Sequence, residues 1–203
     1  NTEQMKLDID QKLEELKVGY AERLSQVEAE GLPGKDYSTR AREEFKTLRE
    51  QAESGLMFPG SATLFRRRAA TLGATLQVDA INRGTKLQHG EILGVATLQQ
   101  QEDVNTAVGG SPAAAQQAFR RALDRPLSLL RQGVIGQEKY AAMQAETLRS
   151  ITLGAITRDA DNPTLANPNK PEEGSVSDRT LRLLDAGAYP HLTAKEQGDL
   201  AHT

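Results

Sequence analysis

An all-α protein follows from three properties of the sequence. Apolar residues recur at steps of three and four over long stretches, and no stretch sustains the apolar/polar alternation of a half-buried strand. Short segments rich in glycine, proline and capping residues stop one helix and start the next, as in Arg125–Glu138 and Leu183–Gln197. The architecture these predict is a bundle of long antiparallel helical hairpins with one long, kinked central helix and short C-terminal helices.

The first helix is expected from about Thr2 to Glu30, where Met5, Ile9, Leu13, Leu16, Tyr20, Leu24 and Val27 form a stripe. Residues eleven apart in this stripe repeat its face, which keeps it straight or slightly right-handed rather than heptad-coiled. Gly31–Asp36 breaks the helix, Pro33 and Gly34 supply a turn, and Asp36 or Ser38 is expected to cap a second helix running to about Ser54. Its stripe is Tyr37, Ala41, Phe45, Leu48 and Ala52, and a short loop between two such stripes implies an antiparallel hairpin.

The next breaker, Gly55–Gly60, carries Leu56, Met57 and Phe58. Three exposed apolar residues in a row would be unusual, so they are expected to plug the end of the bundle or to face a neighbouring subunit. Ser61 is the expected cap of a third helix reaching about Val108, with Phe65, Ala69, Leu72, Leu76, Ala80, Arg83 and Leu87 on one face. Gly73, Gly84, Gly90 and Gly94 lower its intrinsic stability while permitting close backbone approach or a kink between Gly84 and Gly94.

Gly109-Gly110 ends the third helix, and Ser111-Pro112 opens a fourth as a cap followed by proline at the first helical position. Pro126 lies inside this fourth helix and is expected to bend it. Gly133 is expected to close it in the left-handed conformation, with Val134 and Ile135 packed under the turn and Gly136 capping a fifth helix to about Ile156. Residues 159–177 hold three prolines and few apolar groups and are expected to form a flexible loop. In the last stretch Gly187 closes one short helix, and Thr193 with Glu196 forms a capping box for another. The expected organisation is thus a long-helix region over 1–110, a helix-turn-helix region packed on it over 111–158, the loop, and short helices over 178–203.

Composition limits the function. Only 37% of the 203 residues are hydrophobic and 4% aromatic, a thin core for a compact globule, so burial completed by neighbouring subunits is expected. No run approaches the roughly 20 apolar residues of a membrane-spanning helix, and no signal peptide opens the chain. Residue 1 directly precedes a helical run and Thr203 closely follows a capped one, from which a portion of a longer polypeptide is expected. Without cysteine, disulfides and thiolate metal sites are excluded. Residues 1–55 carry 9 basic and 13 acidic side chains, residues 56–158 carry 12 and 7, and residues 159–203 carry 4 and 8. The middle is therefore positive and the ends negative, which fits solvated helix faces or charge complementarity between subunits.

No catalytic signature emerges. His89, His191 and His202 are far apart and outside any ligand-spaced cluster. The carboxylate pairs Glu14-Glu15, Glu43-Glu44 and Glu172-Glu173 sit on polar faces or in a loop, where no burial raises a pKa for acid catalysis. Gly109-Gly110 lacks the G-K-[ST] of a phosphate loop. Arg66, Arg67 and Arg68, with Arg120, Arg121 and Arg125, form the main basic cluster, of the type that contacts phosphates. Consecutive helical arginines diverge and aromatic stacking partners are scarce, so an exposed face or salt bridges explain them better. No cofactor or metal is expected.

The chain resembles the internal virion, or DNA ejection, proteins of tailed, podovirus-like bacteriophages. The stretches that carry the resemblance are Phe65–Val78, the Gly109–Phe119 break and restart, the Arg125–Glu138 turn with its Gly-Val-Ile, Glu146–Ala155, and Leu183–Gln197. Such proteins are long helical chains packed in the particle and released into the host envelope ahead of the genome. The resemblance implies a non-enzymatic, homo-oligomeric component of a conduit or scaffold, located in the virion interior and then in the periplasm. It further implies contact with other ejection proteins, with the host envelope and, nonspecifically, with DNA in transit. Leu56, Met57 and Phe58 are the expected assembly contacts, with Arg66, Arg67 and Arg68 as polar or DNA contacts. Two other readings remain open: a non-catalytic arm of a virion-associated peptidoglycan hydrolase, and a cellular helical adaptor.

Overall fold

A computed structural model of the chain describes residues 2–161 and 193–195. Among the described residues the fold is all-α, with no strand: α1 spans Thr2–Ala29, α2 Gly34–Ser54, α3 Ala62–Gly109, α4 Pro112–Arg131 and α5 Gln137–Asp161. A 3-10 turn, Pro59–Ser61, leads into α3. The chain divides into two compact units, Asn1–Ile92 and Leu93–Thr203. The division falls inside α3 and not at Gly109-Gly110. That glycine pair does end the helix, but the N-terminal part of α3 packs with α1 and α2 while its C-terminal part bonds to α4 and α5.

In the first unit the apolar stripes meet as their spacing requires. Ile9, Leu16, Tyr20 and Val27 of α1 are buried with Tyr37 and Ala41 of α2 and Phe65, Ala69 and Ala80 of α3. One cluster gathers around Tyr20, Val27, Tyr37, Ala41 and Ala80, a second around Ile9, Leu16, Phe65 and Ala69, and Phe45 and Leu48 pack against both. The Tyr20 and Phe45 rings meet edge-on at 5.7 Å, the arrangement their quadrupoles favour.

Two α3 glycines are sites of close approach. A Cβ at Gly34 would lie 2.3 Å from the Gln88 amide nitrogen and 2.8 Å from the Gly84 carbonyl oxygen, and one at Gly84 would lie 2.9 Å from the Gly34 carbonyl oxygen. At Gly73 a Cβ would meet the Phe45 ring at 2.6 Å. Around Gly90 and Gly94, by contrast, there is open space, and α3 is one uninterrupted helix across them.

Helix ends follow the sequence in part. Gly133 has a φ of 69° and closes α4, with the Val134 amide donating back to the Leu129 carbonyl at 3.0 Å and Ile135 buried beneath. The Gly136 carbonyl accepts from Tyr140, opening α5 as expected. Ser111 caps α4 by accepting the Ala114 amide, with Pro112 following.

Other ends differ. α2 starts at Gly34, ahead of Asp36 and Ser38, and no side chain of its own caps it. Its Gly34 amide donates instead to the Glu91 carboxylate of α3 at 2.8 Å, which the glycine crossing brings within reach. Ser61 lies in the turn before α3, and its hydroxyl donates back to the Phe58 carbonyl. α5 continues to Asp161, past the expected end at Ile156, because the first breaker in the sequence is Asn162-Pro163. Ala194 and Lys195 are helical directly after Thr193. The rest of the expected 159–177 loop beyond Asp161, and of the 178–203 helices, lies outside the described residues.

Gly34→Ala is expected to destabilise the first unit by about 2–3 kcal/mol, because the added methyl meets backbone atoms that cannot rotate away. Gly90→Ala, in open space on the same α3, is expected to stabilise by about 0.5–1 kcal/mol through helix propensity alone. Urea denaturation followed by circular dichroism checks both, and equal effects of the two changes would contradict the crossing described.

Candidate assembly surface

The segment joining α2 to α3 separates the three apolar residues assigned to it. Leu56 is half-buried and packs against the cluster of Ile9, Leu16, Phe65 and Ala69, so it plugs the bundle end. Phe58 is also half-buried, while Met57 is 71% exposed. The segment is anchored by Asp8, a buried α1 carboxylate that accepts the Met57 amide at 3.0 Å. That anchor fixes the backbone with the Met57 side chain outward. Sequence reasoning missed Asp8 because it neighbours the stripe residue Ile9 and reads as one more solvated acid.

The arginines are largely committed to carboxylates. Arg66 donates to Glu53 of α2 at 2.8 Å, and Arg68 pairs with Asp10 of α1. Arg67 is exposed. Arg83 forks onto Glu28 of α1 at 2.7 and 2.9 Å, and the Tyr37 hydroxyl of α2 donates to the same carboxylate at 3.3 Å. Hydrogen bonding from Arg83 holds the Glu28 carboxyl below its ordinary range, and burial together with Glu28 pushes the Tyr37 hydroxyl up to about 12. The positive middle of the chain thus meets the negative first helices within the same molecule.

Arg120, Arg121 and Arg125 belong to the second unit, whereas Arg66, Arg67 and Arg68 belong to the first. Arg120 is exposed. Asp103 of α3, only 6% exposed, accepts from Arg121 at 2.9 and 2.6 Å and from Arg125 at 2.5 Å. Burial raises the Asp103 pKa, but the hydrogen bonds and charges of Arg121 and Arg125 outweigh it and the carboxyl ends below its ordinary value.

Arg125 also donates to the Gln100 side-chain oxygen at 2.7 Å. The Gln100 amide donates in turn to the Thr147 hydroxyl and the Ala122 carbonyl, both at 2.7 Å. The Ala122 bond has a specific cause. Residue 126 would ordinarily donate its amide to that carbonyl, but Pro126 has none, so the side chain of α3 supplies the missing donor. The signal was legible, since a proline inside a helix leaves an acceptor four residues back in need of a partner.

A groove of about 440 Å³ lies between α3 and α5 in the second unit, lined by Leu93, Thr97, Gln100, Val104, Met143 and Thr147 among others. Its innermost polar groups, Gln100 and Thr147, are bonded to each other. Among the described residues no group of three or more His, Cys, Asp or Glu side chains is placed to hold a metal ion, and no helix is long and apolar enough to cross a membrane. His191 and His202 lie outside the described residues.

What does stand out is apolar exposure on helices whose other side is already packed and in the turn between α2 and α3. Leu7, Met57, Leu64, Val78 and Ile81 are exposed in the first unit, and Val95 and Leu98 in the second. Comparison with known protein families, curated proteins and solved structures gives no match.

Asp103→Asn is expected to cost about 2–3 kcal/mol at neutral pH, below most of the range for breaking a buried pair because Arg121 is half exposed. With a depressed native pKa, Asp103 contributes stability that is complete above its unfolded value of about 4 and is lost as pH falls through the native value. The difference in unfolding free energy between neutral and acidic buffer should therefore be smaller in the variant than in the parent.

Gln100→Ala leaves the Ala122 carbonyl unsatisfied and is expected to cost about 1–3 kcal/mol. The same change should cost less in a Pro126→Ala background, where residue 126 regains an amide to donate. A double-mutant cycle measures this, with an expected coupling of about 1 kcal/mol.

Proposed function

We propose that the chain is a structural, non-catalytic component of a bacteriophage virion, ejected into the host envelope, where copies assemble into a conduit or scaffold for genome delivery. The phage assignment rests on the resemblance in helix rhythm and turn sequences. The assembly part rests on one observation: large apolar side chains remain exposed on α1, on α3 and in the turn between α2 and α3, although the interior of the first unit is already closed by its stripes. A monomer gains nothing from that exposure, whereas contact between copies removes it from water at about 25 cal/mol per Å².

In this reading Met57 is an assembly contact, and Leu56 and Phe58 support it from beneath. Arg67 and Arg120 are the residues of the basic group that present charge outward, and they carry any nonspecific contact with DNA in transit. The other partners are further ejection proteins and the host envelope, and no cofactor takes part.

The mass of the chain, measured by light scattering in solution and again with lipid vesicles, tests the proposal. Species larger than the 22.1 kDa monomer are expected, growing with concentration. A strictly monomeric chain under both conditions would remove the basis for a conduit.

A further inference from the structure

α3 is shared by the two compact units, which divide between Ile92 and Leu93. The first unit holds α3 at Leu87, packed against the cluster around Tyr20 and Tyr37, and at Glu91, whose carboxylate accepts the Gly34 amide. The second holds it at Ala96, which is buried, and at Gln100, which enters the relay to α4 and α5. One turn of helix separates these two sets of attachments.

That turn is made of weak helix formers. Of the eight residues from Gly90 to Thr97, five are glycine or β-branched: Gly90, Ile92, Gly94, Val95 and Thr97. Packing accounts for the glycines at 73 and 84, where the Phe45 ring and the Gly34 backbone come too close for a Cβ. It does not account for Gly90 and Gly94, where no neighbouring group lies within 4 Å of an added Cβ. These two stand four residues apart on one face, so no side-chain pair braces the turn between them. Thr97 weakens it independently. Its hydroxyl donates to the Leu93 carbonyl at 2.8 Å and draws on the acceptor that the Thr97 amide would use, an arrangement that bends helices.

We propose that α3 is hinged between Glu91 and Ala96. The turn closed by the Gly94 amide on the Gly90 carbonyl opens, and the helix on either side stays straight because its own unit holds it. Glycine at both ends of that bond takes up the changed backbone angles without a Cβ clash. Gly90, Gly94 and Val95 are exposed, so water satisfies the backbone groups that the opening releases. The hinge is a property of the single chain and does not depend on what the chain assembles with.

The absence of cysteine makes the test direct. Spin labels are attached to the full chain at two exposed α3 positions, Ala70→Cys and Glu102→Cys, and pulsed dipolar spectroscopy reads their separation after dilution with unlabelled chain. A straight α3 sets them about 48 Å apart, and the control pair Ala70→Cys and Lys86→Cys, on the first-unit side of the turn, about 24 Å. The hinge gives a distribution that is broader than the control and extends below the straight-helix distance, and Gly90→Ala with Gly94→Ala narrows it to the control width. A single narrow peak at the straight-helix distance in the parent overturns the proposal. Breadth that survives both alanines overturns it as well, since the flexibility then lies elsewhere. Hydrogen exchange gives a second reading: the amides of residues 94–97 exchange about tenfold faster than those of residues 72–80, and the two alanines slow them. Equal protection of the two stretches counts against the hinge. Circular dichroism melts no lower than the parent's establish that the labelled chains fold.

Discussion

The first unit depends on a crossing where two backbones touch without side chains between them. Gly34 begins α2 directly against Gly84 and Gln88 of α3, and any larger residue there would hold the helices apart. The crossing sets three other contacts. It brings Glu91 onto the Gly34 amide, so that a carboxylate from another helix satisfies one of the open donors at the start of α2 and complements its dipole. One turn on, Tyr37 of α2 and Arg83 of α3 converge on Glu28 of α1. Further along, the Phe45 ring lies on Gly73 and edge-on to Tyr20, so Gly73 and Gly84 of α3 each accommodate a feature of α2.

The second unit solves a different problem. Its α3, α4 and α5 segments are joined by a polar relay that begins with an absence, the amide that Pro126 lacks. Gln100 fills it, and because an amide side chain has two donors and an acceptor, it reaches Thr147 of α5 and Arg125 of α4 at the same time. Arg125 then carries the relay to Asp103, one turn along α3 from Gln100. No buried side-chain polar atom among the described residues is left without a partner, the condition under which such a network specifies a packing instead of weakening it. The first unit is held mainly by apolar stripes, while among the described residues of the second Ala96, Ala118, Ala122, Leu129, Ile135 and Ile156 are buried alongside this relay.

Much of this was legible before any coordinates. The α1 stripe from Met5 to Val27 matches its buried and half-buried apolar residues, apart from the exposed Leu7 and Val18, because 3.6-residue periodicity is a direct readout of which side meets the core. The Gly133 turn and the Ser111-Pro112 start were legible because each depends on local backbone chemistry. Interactions over long separations were not. Nothing near Gly34 announces that its cap is Glu91, and nothing near Asp8 announces that it holds Met57. The six arginines looked like one basic patch because a sequence shows charge without its partners. In space Arg66, Arg68, Arg121 and Arg125 are each bonded to a carboxylate.

The same distinction explains why an exposed apolar face can lie unnoticed on a helix whose inner stripe reads clearly. A helix with apolar residues on one side gives a single strong periodicity; one with apolar residues on both sides gives two signals that cancel, and its glycines add a third reading as breakers. α3 is such a helix in its N-terminal part, and α1 and α2 can cover only one of its sides. The inner stripe of α3 repeats over eleven residues, a period that keeps one face of a nearly straight helix turned toward α1 and α2 along its length, so this is the face that the sequence makes legible.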